Sequence, residues 1–298
     1  MTSATLFVDT HVHIRKRFNR AQVFAAAARN FAAAARQKQV SDWVGVLMLT
    51  ESATENAFKE LESLLGGAEQ PVRLDGWGDW CGVLCRDGIS VRLSRSNGST
   101  EHQDPLFVIA GRQIDTSERL EVSALGSDEF IPDGLPIEEV LKRARAHGTY
   151  QILPWAPGKW SFARGRRIDA MLTDGLTDEL TNGGEYAFAL GDNGGRPAIW
   201  PRSRFMRKAV RLGIPVLPGS DPLPFDSELQ RIGSYGVQLT GEFDAENPGK
   251  SVLALLRAQR GQPDTYGRLN SALAFFRNEI QMQLTKRARK QAAAARKA

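Results

Sequence analysis

The chain is short of the residues that most often announce a mechanism. Among 298 residues there are four histidines, two cysteines and four tyrosines. Cys81 and Cys85 alone cannot build a disulfide framework. Their place in Trp80-Cys-Gly-Val-Leu-Cys-Arg86 reads as two thiols in a strand of a reduced, cytoplasmic protein. No run of about 18 apolar residues occurs, which excludes a membrane span and leaves no membrane among the expected partners. The first residues carry no basic segment leading into an apolar one, so no secretory signal is expected. What is there is the composition of a globular protein, 42% hydrophobic and 24% charged. The length suits one large α/β domain or two small ones.

The net charge of +5 misleads about the body of the chain. Residues 286–298 hold six Lys or Arg and no acid, and removing those six charges from +5 leaves −1. Such a segment reads as a solvated helix end. It can also meet nucleic acid or an anionic surface.

Apolar patterning gives the organisation. Val23, Phe24, Ala27, Ala28, Phe31 and Ala35 form a helical stripe over 21–39. Residues 43–49 are a continuous apolar run typical of a buried strand, and 53–65 read as a helix stopped by Gly66-Gly67. Residues 72–95 alternate around Asp87-Gly88, a hairpin signal. Short strands are expected at 106–110, 120–125, 150–153, 186–190 and 214–217. Helices are expected at 136–147, 203–212, 251–260 and 266–290. The rhythm fits a β/α barrel whose strand ends carry polar loops. We divide the chain into a barrel domain, 1–262, and a C-terminal helix with a basic tail, 263–298.

Chemistry concentrates at the strand ends. Phe7-Val8-Asp9-Thr10-His11-Val12-His13 runs an apolar strand into two histidines, and a period of two puts both on one side. Two imidazoles converging from one strand end can hold a divalent metal, although the same pair also occurs on solvated strands. Asp221 ends a late strand among prolines that stiffen its loop; it reads as a ligand or as a turn cap. Gly191-Asp192-Asn193-Gly194-Gly195-Arg196 is a tight turn or an anion-binding loop. His102 lies in a polar loop, and His147 ends a helix where a cation suits the dipole.

Read in order, these strand ends resemble the PHP (polymerase and histidinol phosphatase) family. Asp9, His11 and His13 match its opening Asp-x-His-x-His, and Gly219-Ser220-Asp221 match its closing Gly-Ser-Asp. Between them the chain departs from the pattern. Thr50-Glu51-Ser52 stands for Thr-Asp-His, Gln113 for a ligand Glu, and Trp155 follows Pro154 where the family has His. Leu223 stands where the last His would be. The resemblance implies a distorted (β/α)7 TIM-like barrel and metal-dependent phosphoesterase activity. The losses imply a reduced site of one divalent ion, Zn, Mn or Fe, on His11, His13 and Asp221. Glu51 or Asp192 then stands as general base, with Lys159, Arg196 and Trp155 contacting a small-molecule or phosphorylated substrate. The rival expectation is an inactive, metal-free barrel with a binding or regulatory role, Trp155 filling the space of a lost metal. A third is nucleic-acid binding through the basic tail.

Overall fold

The computed structural model describes residues 2–96, 106–174 and 188–295. Two sheets dominate. The first strand, β1 (Thr2–Val12), is buried on both faces from Leu6 onward and lies inside the larger sheet. It is followed by α1 (Arg20–Lys38), β2 (Trp43–Leu49) and α2 (Ala57–Leu65). Asn19 and Asn56 cap the two helices with their side chains. β2 pairs parallel to β1, as the strand–helix–strand rhythm predicts.

Next comes a meander, β3 (Val72–Arg73), β4 (Trp80–Leu84) and β5 (Ser90–Arg95), leading to β6 (Leu106–Ile109). β4 and β5 pair antiparallel across the Asp87-Gly88 turn. The smaller sheet follows with β7 (Gly111–Asp115), β8 (Glu121–Leu125), α3 (Ile137–Ala146), β9 (Tyr150–Pro154), α4 (Phe162–Asp174), β10 (Ala189–Asn193), α5 (Arg204–Arg211) and β11 (Val216–Gly219). The chain then returns through β12 (Tyr235–Phe243), α6 (Pro248–Ala258), β13 (Thr265–Gly267) and α7 (Ala272–Ala295).

The strand orders are β13-β12-β1-β2-β6-β5-β4-β3 and β11-β10-β9-β8-β7. This corrects the expected (β/α)7 barrel. A barrel needs each strand to continue one closed ladder. Here β12 runs antiparallel along β1, and the meander extends the far side of the large sheet. β8 runs antiparallel to both of its neighbours, β7 and β9, and the described residues form two open sheets. β12 is the strand that pattern reading passed over, although Tyr235, Val237 and Leu239 alternate along it. Tyr186, Ala187, His102 and residues 296–298 lie outside the described residues.

Three apolar clusters hold the layers. Phe7, Phe24, Phe31, Leu47 and Phe58 pack α1 and α2 on the outer face of the large sheet. Ile114, Val122, Leu153, Leu190 and Val216 meet α3, α4 and α5 on the outer face of the small one. Leu6, Val8, Val46, Phe107, Ile152, Leu217 and Val237 fill the space between the sheets, with α6 contributing Val252 and Leu256. Two seams join the sheets at the strand ends: Asp221 N–H donates to His11 O (2.9 Å), and Gln113 N–H donates to Glu51 O (2.8 Å).

Candidate metal centre

The sequence places Asp221 more than two hundred residues from His11 and His13, and the first seam brings the three together. β1 shifts register against β2 by one residue between Asp9 and Val12. Such a bulge re-aims side chains that strict alternation would align. Asp9 parts from the two histidines there. Its carboxylate is fully buried and accepts from Ser220 N–H (2.8 Å), Gly233 N–H (2.8 Å) and His11 N–H (3.3 Å). Burial pushes its pKa up to about 6, with those bonds pulling the other way. Asp9 is thus a clamp between β1 and the loop carrying Asp221. Thr10 Oγ1 adds a bond to Pro218 O (2.8 Å).

The clamp depends on close approach. An added Cβ at Gly219 would lie 2.5 Å from His11 Cβ and 2.6 Å from His11 N. Only glycine lets β11 sit this near β1. Two residues on, Asp221 has φ +45°, a conformation rare for a side-chain-bearing residue and held here by its N–H bond to His11.

The ligand atoms converge. His11 Nε2 and His13 Nε2 are 3.1 Å apart, and Asp221 Oδ1 lies 3.6 Å from the first and 3.8 Å from the second. All three lie within 4.8 Å of one another. Two nitrogens, each about 2.0–2.1 Å from one zinc ion, sit roughly 3.0–3.4 Å apart, so the donor set fits a single ion. The protonation states fit as well. Burial lowers the pKa of both rings, His13 well below the ordinary value, and the Arg15 charge adds to this. Asp221 opposes the shift at His11. Both rings are therefore neutral near pH 7, with a lone pair available on each.

Neighbours orient this set. Asn193 Nδ2 donates to Asp221 Oδ2 (2.8 Å), which leaves Oδ1 facing the imidazoles. Ser123 Oγ lies 3.5 Å from His11 Nδ1, at the limit of a hydrogen bond. Gln113 is the cross-strand partner of Ser123, and its side chain favours the charged form of His13. Around an ion held by these three residues, such contacts would orient the donor atoms.

The cluster lies in the wall of a cavity of about 1040 Å³. Arg15, Lys16, Arg17 and Lys159 bring positive charge to it, and Glu55, Glu121 and Glu279 negative. Most of these charges are already paired. Arg15 meets Glu55 (3.0 Å), Arg17 meets Asp226 (2.9 Å), and Lys159 meets Glu121. Burial raises the Glu121 pKa while the Lys159 charge lowers it.

The remaining sequence candidates are placed elsewhere. Asp192 is fully buried and gripped by Arg196 through both oxygens (2.7 and 2.9 Å) and by Arg202 (3.1 Å). Neither Asp192 nor Arg196 lines the cavity. Trp155 packs against the core of the small sheet and edge-on to Trp200. Glu51 is buried in the second seam outside the cavity lining, and burial pushes its pKa up to about 8. The residues that pattern reading missed are Ser123, Asn193 and Glu121. Asn193 is adjacent to the favoured Asp192, and alternation on β10 turns the two to opposite faces.

No protein-family model matches the chain, and no curated protein matches it by sequence. Solved structures are similar to it. PsfC from Pseudomonas syringae aligns with a TM-score of 0.53 at 15% identity, over 97% of this chain and 99% of that one. That likeness is one of fold. The lesion-specific endonuclease PfuEndoQ from Pyrococcus furiosus aligns with a TM-score of 0.42 at 14% identity, over 85% of this chain and 56% of that one. Endonuclease Q in complex with a 27-mer duplex substrate with an abasic lesion aligns with a TM-score of 0.39 at 13% identity, over 85% and 57%. The chain spans little over half the length of either endonuclease chain.

Proposed function

We propose that this chain is a metal-dependent hydrolase acting on a phosphorylated substrate, with His11, His13 and Asp221 holding one divalent ion, Zn, Mn or Fe. The observation that carries the reading is the meeting of two neutral imidazoles and a carboxylate oxygen in the wall of a large cavity. When bound, such an ion supplies Lewis acidity and makes water a stronger acid. The chain's own part is preorganisation. The Asp9 clamp, Gly219 and Asn193 fix the Asp221 carboxylate against β1 before any ligand arrives. Lys159, held by Glu121, presents a cation to an anionic substrate at the cavity wall. Residues 1–262 carry the ligands in this reading, and Glu279, Met282 and Thr285 of α7 line one side of the cavity.

A second reading, a ligand-binding protein without turnover, is favoured by the position of the two bases that the sequence offered. Asp192 is locked by two arginines, and Glu51 lies outside the cavity lining. One experiment separates the two. Metal content and hydrolysis of p-nitrophenyl phosphate are measured on wild type and on His13→Ala. About one metal per chain, with turnover lost in the variant, supports the hydrolase. No turnover across a panel of phosphoesters, whether or not metal is bound, supports the binder.

A further inference from the structure

The last helix has two apolar faces, and only one is used. Phe275 and Asn278 are buried against the body, where Asn278 donates to the buried Glu228 (2.8 Å) and Phe275 packs on Trp200. Met282 and Thr285 continue that side along the cavity. On the opposite side Leu273, Phe276, Ile280 and Leu284 are 55–81% exposed. At 3.6 residues per turn these four fall within roughly 80° of one another, as one narrow stripe. Exposed Ile199 and Trp200 extend the patch through the contacts of Trp200 with Phe275 and of Phe275 with Phe276. Single exposed apolar residues are ordinary on a protein surface, but a row of this kind marks a contact surface.

Charge selects the occupant. From Arg268 to Ala298 there are eight Lys or Arg and one acid, Glu279. Exposed Arg277 sits at one edge of the stripe, and exposed Arg287 continues the stripe itself one turn beyond Leu284. We propose that α7 lays this stripe on an anionic lipid surface, the apolar side chains entering the headgroup layer and the basic ones meeting acidic headgroups. A second copy of the chain is disfavoured, because it offers the eight basic residues of this segment only one acid, Glu279, in return. Nucleic acid accounts for the charge but gives four large apolar side chains nothing to bury against. A groove that wraps a helix is disfavoured too, because the body already occupies half of the cylinder. A flat, anionic, partly apolar surface meets both features. Lying on a membrane needs no spanning segment, and none of the described helices is long and apolar enough to cross one. Docking would hold the cavity, bordered by the other side of the same helix, beside the headgroups.

Vesicle flotation tests this with the full chain. Wild type should float with mixed phosphatidylcholine–phosphatidylserine vesicles and stay behind with phosphatidylcholine alone. Ile280→Asp combined with Leu284→Asp should abolish flotation while circular dichroism is unchanged. Arg277→Glu combined with Arg287→Glu buries nothing and keeps the test valid if the first variant misfolds. It should weaken binding at least roughly tenfold. The proposal is overturned if anionic vesicles leave the protein behind, or if neutral vesicles carry it equally well. It is equally overturned if light scattering shows a dimer that Ile280→Asp with Leu284→Asp makes monomeric, or if the protein ignores vesicles and binds duplex DNA undiminished in that variant.

Discussion

Two acidic residues stand at neighbouring strand ends of the small sheet and have opposite fates. Asp192 follows Gly191 in β10, and Asp221 follows Gly219-Ser220 at the end of β11. Asp192 has no exposed surface and binds two guanidinium groups. The Asp221 side chain is 23% exposed, takes one amide on Oδ2, and turns Oδ1 to two imidazoles in the cavity wall. The difference lies in which cations the chain delivers. Arg196 and Arg202 follow Asp192 closely in sequence and close over it, whereas prolines flank Asp221 and no arginine reaches its carboxylate among the described contacts. An acidic strand end is free for a ligand where the fold has not already neutralised it.

Four substitutions sharpen or break this contrast. The largest effect is expected from Asp192→Ala, which leaves Arg196 buried without its partner. Urea unfolding should show a loss of about 3–5 kcal/mol; wild-type stability would mean that the pair does not hold the frame. Glu51→Gln should act through pH, by an amount of the order of a few kcal/mol. The Glu51 carboxyl is held at about 8 when folded, against an ordinary value of 4.5. The folded state therefore keeps a proton that the unfolded state gives up. The resulting stability is full below about pH 4.5 and lost as pH rises through about 8. Melting temperature should fall for wild type relative to Glu51→Gln across that window, and parallel curves would contradict the burial argument.

Gly219→Ala pushes β11 away from His11 and should cost about 1–3 kcal/mol. It should also reduce zinc affinity in a calorimetric titration, whereas unaltered affinity would show that close approach is not what brings Asp221 to the imidazoles. The smallest stability effect is expected at Asp221 itself. In metal-free protein Asp221→Ala should stay within about 1 kcal/mol of wild type. A loss as large as that at Asp192 would erase the distinction between frame and site.

Much of this was legible in the sequence. The strands and helices from Thr2 to Leu49 follow from continuous apolar runs and one helical stripe, and the Asp87-Gly88 hairpin from its turn residues. The convergence of His11, His13 and Asp221 was readable from residue type at strand ends. The sheet order was not. β12 is a nine-residue strand whose antiparallel place beside β1 depends on contacts more than two hundred residues distant, which local periodicity does not encode. Alternation also failed at Asp9, because a one-residue bulge has no sequence signature here. Asp192 stands out from Asn193 in the sequence for a related reason. A loop shows which residues are polar but not which of two neighbours turns to the Asp221 carboxylate.

The central claim is that His11, His13 and Asp221 surround one ion. Anomalous diffraction from a zinc-soaked crystal, recorded on both sides of the zinc edge, tests it most directly. The account predicts a single strong peak between the two Nε2 atoms and Asp221 Oδ1. A map with no peak there, or with its main peak at another group of side chains, would contradict it.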